Sequence, residues 1–187
     1  MVCIPTDTVY GITSIADDVS AVKRVFQLKN RPEGTPLPIF ISSATELDEY
    51  TVGFSPEAKM LANEFWPGAL TIIANRSDSI PPITVAGFPS AGFRIPNHYV
   101  PIKLAKLTRK PITGTSANLS GQPEAKNVDD VVRMFGKDNP NLDMVLDGGT
   151  LSGTIPSTVV DVTSGDLKII RVGMVGEDAI RRILCQE

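Results

Sequence analysis

Proline and glycine punctuate this chain more heavily than any other feature, with 15 of each in 187 residues. Proline fixes φ and lacks an N–H, and glycine resists ordering, so no regular element runs far through a cluster of them. Pro32, Gly34, Pro36 and Pro38 end one helical pattern and force a loop. Trp66-Pro67-Gly68 stops another, and a proline-rich stretch separates Ala74 from Ala91. The chain is therefore built of short elements joined by many turns. Fibrous and disordered classes are excluded, because 42% hydrophobic and 21% charged residues are ordinary for a globular chain.

Between these breaks the periodicity is readable. Val2-Cys3-Ile4 is a short β-prone opening that runs into Pro5-Thr6. Asp17-Asp18 precedes apolar positions at helical spacing, predicting a helix from about Val19 to Leu28. Ser55-Pro56-Glu57 supplies an N-cap, a first-turn proline and an acid for a second helix through Phe65. Further helices are predicted around Ile102 to Leu107, Val128 to Phe135 and Gly176 to Cys185, the middle one amphipathic with Asp129, Asp130 and Arg133 outward. Strands are predicted at Ile39 to Ile41, Ala69 to Ala74, Ala91 to Ile95, Pro111 to Thr113, Met144 to Leu146 and Ser157 to Val162. Leu167 to Arg171 is expected to pair with the last of these through Thr163-Ser164-Gly165-Asp166. Strands outnumber helices and alternate with them irregularly, which predicts an α/β or α+β domain with a mixed sheet. Without repeats or a break in composition, residues 1–187 read as one domain.

Charge and composition exclude several classes of function. Eighteen Lys and Arg stand against 21 Asp and Glu, a net charge of −3, which argues against generic binding to nucleic acid or an anionic membrane. A local basic groove is compatible with that balance. Cys3 and Cys185 make no disulfide framework and have no metal-ligand spacing, so no protein-held metal is expected. No apolar run spans a membrane and no signal-peptide pattern opens the chain, which predicts a cytoplasmic, reduced protein. His98, the only histidine, sits in loop-like Pro96-Asn97-His98-Tyr99 and reads as an exposed or capping residue. Walker A, Gly-x-Gly-x-x-Gly and Gly-x-Ser-x-Gly are absent.

Four polar clusters remain that periodicity does not explain. Lys29-Asn30-Arg31 pairs a point charge with a planar fork, suited to phosphate or to a solvated helix end. Arg94 interrupts the apolar strand Gly92-Phe93-Arg94-Ile95-Pro96, at either a solvated strand end or a cleft. Gly114-Thr115-Ser116-Ala117-Asn118-Leu119-Ser120-Gly121 follows a strand with small donors able to meet anion oxygens, or is merely a turn. Pro156-Ser157-Thr158 opens one strand and Arg171-Val172-Gly173 closes the next.

Taken in order, these clusters resemble the YrdC-like family, the threonylcarbamoyl-AMP synthases of tRNA modification. The resemblance is carried by Pro5-Thr6-Asp7-Thr8-Val9-Tyr10-Gly11, Lys29 and Arg31 with Pro36-Leu37, Trp66-Pro67-Gly68-Ala69-Leu70-Thr71, Arg94-Ile95-Pro96, Thr115 to Gly121, Pro156 to Val159 and Arg171 to Gly173. It implies a twisted mixed sheet, parallel and antiparallel, with flanking helices around a concave basic cavity. The implied reaction makes L-threonylcarbamoyl-adenylate and pyrophosphate from L-threonine, bicarbonate and ATP with Mg²⁺. Partner proteins would then move the threonylcarbamoyl group to adenosine 37 of tRNA, which the chain itself would bind weakly or indirectly. The family's Lys-x-Arg and Ser-x-Asn signature falls on Lys29, Arg31, Ser116 and Asn118 as catalytic residues. By motif position Thr8, Arg94, Gly114 and Ser157 would face threonine. Lys29, Arg31, Thr35, Ser90, Ser116, Asn118 and Arg171 would contact ATP.

Three departures accompany the resemblance. Relatives carry a helix and the start of a strand ahead of Pro5-Thr6, so a sheet edge or apolar face is expected to be uncovered here. Many have a histidine where this chain has Phe40, and an Arg-Pro-Gly where it has Arg171-Val172-Gly173. Two other readings use the same residues: a YrdC-like protein binding double-stranded RNA or tRNA, and a paralogue with another carbamoyl or amino-acid substrate.

Overall fold

The computed structural model describes residues 1–152, 155–164 and 167–184. The chain opens with β1 (Val2–Ile4) and β2 (Gly11–Thr13), then α1 (Val19–Lys29), β3 (Ile39–Phe40), a single 3-10 turn at Ala44–Glu46, α2 (Leu47–Tyr50) and α3 (Pro56–Phe65). The middle holds β4 (Leu70–Asn75), β5 (Ser90–Arg94), α4 (Tyr99–Thr108), β6 (Ile112–Thr113) and β7 (Thr115–Ser116). It continues with α5 (Val128–Phe135), β8 (Met144–Val145), β9 (Thr158–Asp161), β10 (Lys168–Arg171) and α6 (Glu177–Leu184). Gly165 and Asp166 of the expected hairpin turn, and Cys185 at the end of the expected last helix, lie outside the described residues.

The helices start where their caps say they should. Asp18 accepts the Ala21 N–H at 3.0 Å, and Ser55 accepts the Ala58 N–H at 3.2 Å ahead of Pro56. His98 is a cap: its Nδ1 accepts the Val100 N–H at 3.2 Å, which starts α4 three residues before Ile102. Pro101 is tolerated there because first-turn N–H groups have no intrahelical partner. α1 ends at Asn30, whose φ of 47° is the left-handed cap conformation.

The strands form two sheets, ordered β7-β2-β1-β8 and β10-β9-β4-β5-β3-β6. Both mix directions: β3 runs parallel to β5 and β4 parallel to β9, whereas β4 with β5 and β9 with β10 are antiparallel. β1 pairs with β2 on one side and β8 on the other, so the expected uncovered edge does not fall on the opening strand. β2 and β7 were not visible as strands in the sequence, because Gly-Ile-Thr and Thr-Ser are too short to show an alternation. The chain steps from one sheet to the other at Gly114, between β6 and β7.

Apolar burial follows the sheets. The larger core packs Ile39, Leu70, Ile72, Phe93 and Val160 against Leu61, Trp66 and Ile180 from the helices. A second core holds Tyr10 and Ile12 against Val22, Val25 and Phe26 of α1 and Val131 and Phe135 of α5. A small third cluster seats Phe40 and Ile112 under Ala105 of α4. Among the described residues no helix is long and apolar enough to cross a membrane.

Phe93 is fully buried at the centre of β5, in register with both Ile39 and Ile72. Truncating it to alanine opens a cavity between three strands, so Phe93→Ala is expected to cost about 3–5 kcal/mol. Urea unfolding checks this as a fall in midpoint with an unchanged slope.

Candidate functional site

Strand direction decides where the polar residues meet. β3 and β5 are parallel, and β4, antiparallel to β5, is parallel to β9. The C-terminal ends of β3, β5 and β10 therefore lie at the same sheet end as the N-terminal ends of β4 and β9. Phe40, Arg94, Thr71, Ser157 and Arg171 occupy those ends. From the facing sheet, the loop between β1 and β2 contributes Thr6 and Thr8, and β7 contributes Thr115 and Ser116. Together with Arg31 these residues line a cavity of about 210 Å³.

The floor is made by a close approach. A Cβ on Gly114 would lie 2.2 Å from the Phe40 ring, so the ring occupies the space that any larger residue would need. The Gly114 N–H donates to Pro38 O at 2.7 Å, fixing the corner between the sheets. The Arg94 guanidinium sits above the same ring, 5.9 Å from its centroid.

Hydroxyls line the walls in bonded pairs. Thr6 Oγ1 and Thr8 Oγ1 are 3.1 Å apart, and Thr71 Oγ1 and Ser157 Oγ are 3.0 Å apart. Ser116 Oγ donates to Asn118 Oδ1 at 2.6 Å.

Among the described residues three arginines line the cavity, and they differ in state. Arg31 is half-buried, held by its Nη2 on Pro36 O at 3.0 Å and more loosely by its Nε on Thr35 O at 3.4 Å. Burial lowers its pKa. Arg171 is exposed at the mouth, where Nη2 donates to Ser157 O at 2.9 Å. Arg94 is buried, with Nε on Gly68 O at 2.8 Å and Nη2 on both oxygens of Asp7 at 2.7 and 2.8 Å. Burial lowers its pKa and the Asp7 carboxylate works against that fall.

Lys29 is positioned differently from the sequence expectation. It is the last residue of α1, 1% exposed, and does not line the cavity. Its Nζ donates to Ser116 O, to Asn118 O at 2.7 Å and to Asn118 Oδ1 at 2.9 Å. It thus holds the Ser-x-Asn turn from behind. Asn118 likewise faces Lys29 and Gln122 O rather than the cavity. Thr35 supplies a carbonyl to Arg31 but does not line the cavity. Ser90 is at the far end of β5, paired with Asn75, roughly 13 Å along the strand from Arg94. Thr8, Arg31, Arg94, Gly114, Ser116, Ser157 and Arg171 do come together.

The sequence reading assigned no role to Asp7, Thr71 or Glu124. Asp7 and Thr71 lay inside quoted motifs, flanked by residues that drew the attention. Glu124, an exposed carboxylate at the cavity rim, carried no motif at all. Among the described residues no three His, Cys, Asp or Glu side chains gather as a metal site.

A family model described as Sua5_yciO_yrdC, telomere recombination, matches residues 1–173. The chain is 36% identical over 185 residues to the threonylcarbamoyl-AMP synthase of Pyrococcus abyssi, covering 98% of this chain and 53% of that one. It is 33% identical over 170 residues to a putative threonylcarbamoyl-AMP synthase of Methanocaldococcus jannaschii, covering 91% and 78%. The crystal structure of P. abyssi Sua5 complexed with L-threonine superposes with a TM-score of 0.92 at 35% identity, covering 98% of this chain and 53% of that one. E. coli YciO shares the fold, with a TM-score of 0.81 at 22% identity over 96% of this chain and 85% of its own. The chain spans about half the length of the first curated relatives it matches.

Burial pulls the Lys29 ammonium down to about 7, and the Arg31 charge acts in the same direction. Three acceptors oppose that fall, since only the protonated form has three N–H bonds to fill them. With the folded value below the ordinary 10.5, the folded chain binds fewer protons than the unfolded one between about pH 7 and 10.5. Stability should therefore rise with pH across that window, by at most about 1.4 kcal/mol per pH unit, and be flat below it. Urea titrations at several pH values check this against Lys29→Met, in which that part of the slope is expected to vanish.

Proposed function

The chain belongs to the Sua5/YciO/YrdC family, and we propose that it forms L-threonylcarbamoyl-adenylate and pyrophosphate from L-threonine, bicarbonate and ATP. The observation that carries this reading is the cavity itself. It brings the hydroxyls of Thr6, Thr8, Thr71 and Ser157 into one space with the guanidinium groups of Arg31, Arg94 and Arg171. Relatives named threonylcarbamoyl-AMP synthase, and a Sua5 structure complexed with L-threonine, support the same substrates.

The chemistry asks for positioning. The threonine amine attacks the carbon of bicarbonate, the C–N bond forming as a C–O bond breaks and water leaves, and an oxygen of the resulting carbamate attacks the α-phosphorus of ATP. The bond to the β-phosphate breaks and pyrophosphate leaves. Such a step is accelerated by holding the two reactants in line and neutralising the spreading charge. Arg31 and Arg171 bear on the phosphates, and Mg²⁺ travels with ATP as part of the substrate. Arg94 presents Nη1 to the amino-acid carboxylate, and the hydroxyls of Thr8 and Ser157 suit the threonine hydroxyl. Lys29 acts on the reaction through Ser116, whose turn it holds. The activated product then passes to partner proteins that modify tRNA, in the cytoplasm.

The direct test is pyrophosphate release with the adenylate identified by mass. Release that does not depend on both L-threonine and bicarbonate would rule the reading out. Arg31→Ala and Arg171→Ala are each expected to weaken a non-hydrolysable ATP analogue by about 1.5–3 kcal/mol, the scale of a charge-assisted bond, in isothermal titration. Valine has nearly the shape of threonine but leaves the wall hydroxyls unpaired. Its kcat/KM should fall roughly 10- to 100-fold below that of threonine in the same assay.

A further inference from the structure

Two of the three cavity arginines lean only on neutral groups. Arg31 donates to the carbonyls of Thr35 and Pro36, and Arg171 to the carbonyl and hydroxyl of Ser157. Neither has a carboxylate partner among the described residues, so both keep their full charge toward the cavity. Arg94 is different. Its Nη2 takes both oxygens of Asp7, with the two side chains only 5% and 13% exposed. Asp7 is itself fixed by the Asn97 N–H, which donates to Oδ2 at 3.1 Å. With Nε on Gly68 O, the Arg94 guanidinium is locked in plane and Nη1 alone is left without a protein partner among the described residues.

We propose that Asp7 is a specificity-determining residue: it cancels the charge of Arg94 and occupies its fork, so that Arg94 takes one carboxylate and rejects polyphosphate. The inference rests on the reading of the cavity given above. A free guanidinium binds phosphate at least as well as carboxylate, because two parallel N–H groups match either anion. Three uncompensated arginines around one small cavity would give the triphosphate two competing places to settle, one of them on the amino-acid site. With Asp7 in place the cavity arginines that carry no carboxylate on their own N–H groups are Arg31 and Arg171, and the cavity's other carboxylate, Glu124, stands at the rim. The remaining Nη1 offers a single-nitrogen contact, enough to orient an amino acid and too little to hold a phosphate. The β1–β2 loop that carries Asp7 also carries Thr6 and Thr8, so one short segment supplies both the hydroxyl wall and the charge that sets Arg94.

Two measurements test this. In the ligand-free wild-type protein, the Nη protons of Arg94, assigned by their loss in Arg94→Lys, should give separate, slowly exchanging nitrogen-15 correlated signals. Averaged signals, as from an exposed arginine, would overturn the proposal. The second is pyrophosphate titration by calorimetry, with and without saturating L-threonine, on wild type, Asp7→Asn and the neutral pair Asp7→Asn with Arg94→Gln. Asp7→Asn is expected to bind pyrophosphate at least tenfold more tightly than wild type, with L-threonine competing the gain away, and the neutral pair should lose the gain. A folded Asp7→Asn protein with wild-type pyrophosphate affinity would sink the role given to Asp7. A wild type that binds pyrophosphate but no L-threonine would sink the amino-acid reading of the cavity instead, while the gain in Asp7→Asn would still decide for or against Asp7.

Discussion

Three oxygens close around the Lys29 ammonium, and one whole wall of the cavity depends on that closure. Burying a cation costs free energy unless its N–H bonds are filled. Here they are filled by the carbonyls of Ser116 and Asn118 and the Asn118 amide oxygen, in a segment 87 to 89 residues away in sequence. The tie is reciprocal, because the Ser120 N–H donates back to Lys29 O at 3.0 Å. It also spreads outward. The Ala117 N–H donates to Tyr10 O at 2.7 Å, and the Tyr10 N–H to Ala125 O at 3.1 Å. The end of α1, the Ser-x-Asn turn and the loop carrying Thr6, Asp7 and Thr8 are thereby fixed relative to one another. Removing the ammonium would take this donor from the Ser116 and Asn118 carbonyls and leave the Asn118 amide oxygen with Ser116 Oγ alone, a larger loss than one side chain's packing.

The other wall depends on strand direction rather than on a charge. A purely parallel sheet would gather only C-terminal strand ends at one edge. In this mixed sheet, N-terminal ends of β4 and β9 arrive beside C-terminal ends of β3, β5 and β10. Residues that close a strand, such as Arg94 and Arg171, therefore stand next to residues that open one, such as Thr71 and Ser157. Gly114 joins this wall to the first. Its missing side chain admits the Phe40 ring, and the ring in turn supports the Arg94 guanidinium from below.

What the sequence made legible follows from the range of the interactions involved. Helices were readable because their signals are local: Asp18, Ser55 and His98 each cap through a bond two or three residues away. The central strands were readable from short apolar runs such as Leu70 to Ala74. β2 and β7 were not, because they are two or three residues long, carry no pattern of their own, and pair with each other across 100 residues. The same distinction divides the site. Arg94 was conspicuous as a charge in an apolar strand, but nothing local to it announces Asp7, 87 residues earlier. Lys29 was conspicuous as half of a Lys-x-Arg pair, yet the pair splits. The helix turn sends Lys29 inward to the Ser-x-Asn turn and leaves Arg31, beyond the left-handed Asn30, facing the cavity.

Those local conflicts are all found around one cavity. A lysine ends an amphipathic helix on its buried side, an arginine sits in a buried strand, and a glycine stands where two sheets meet. Each breaks a rule that the rest of the chain obeys, and each is offset by a partner distant in sequence: the Ser-x-Asn turn for Lys29, Asp7 for Arg94, Phe40 for Gly114. Sequences that fold reliably keep local preference and tertiary structure in agreement, and depart from that agreement where a site demands it. The departures here share one consequence, which is to hold polar groups rigidly in a space that the apolar cores on either side would otherwise fill. For the proposed reaction, which needs no covalent enzyme intermediate, rigidity of that kind is the main contribution a protein can make. A net charge of −3 is then no obstacle to binding a polyanion, because the field that matters is set by Arg31 and Arg171 at the cavity mouth and not by the sum over the surface.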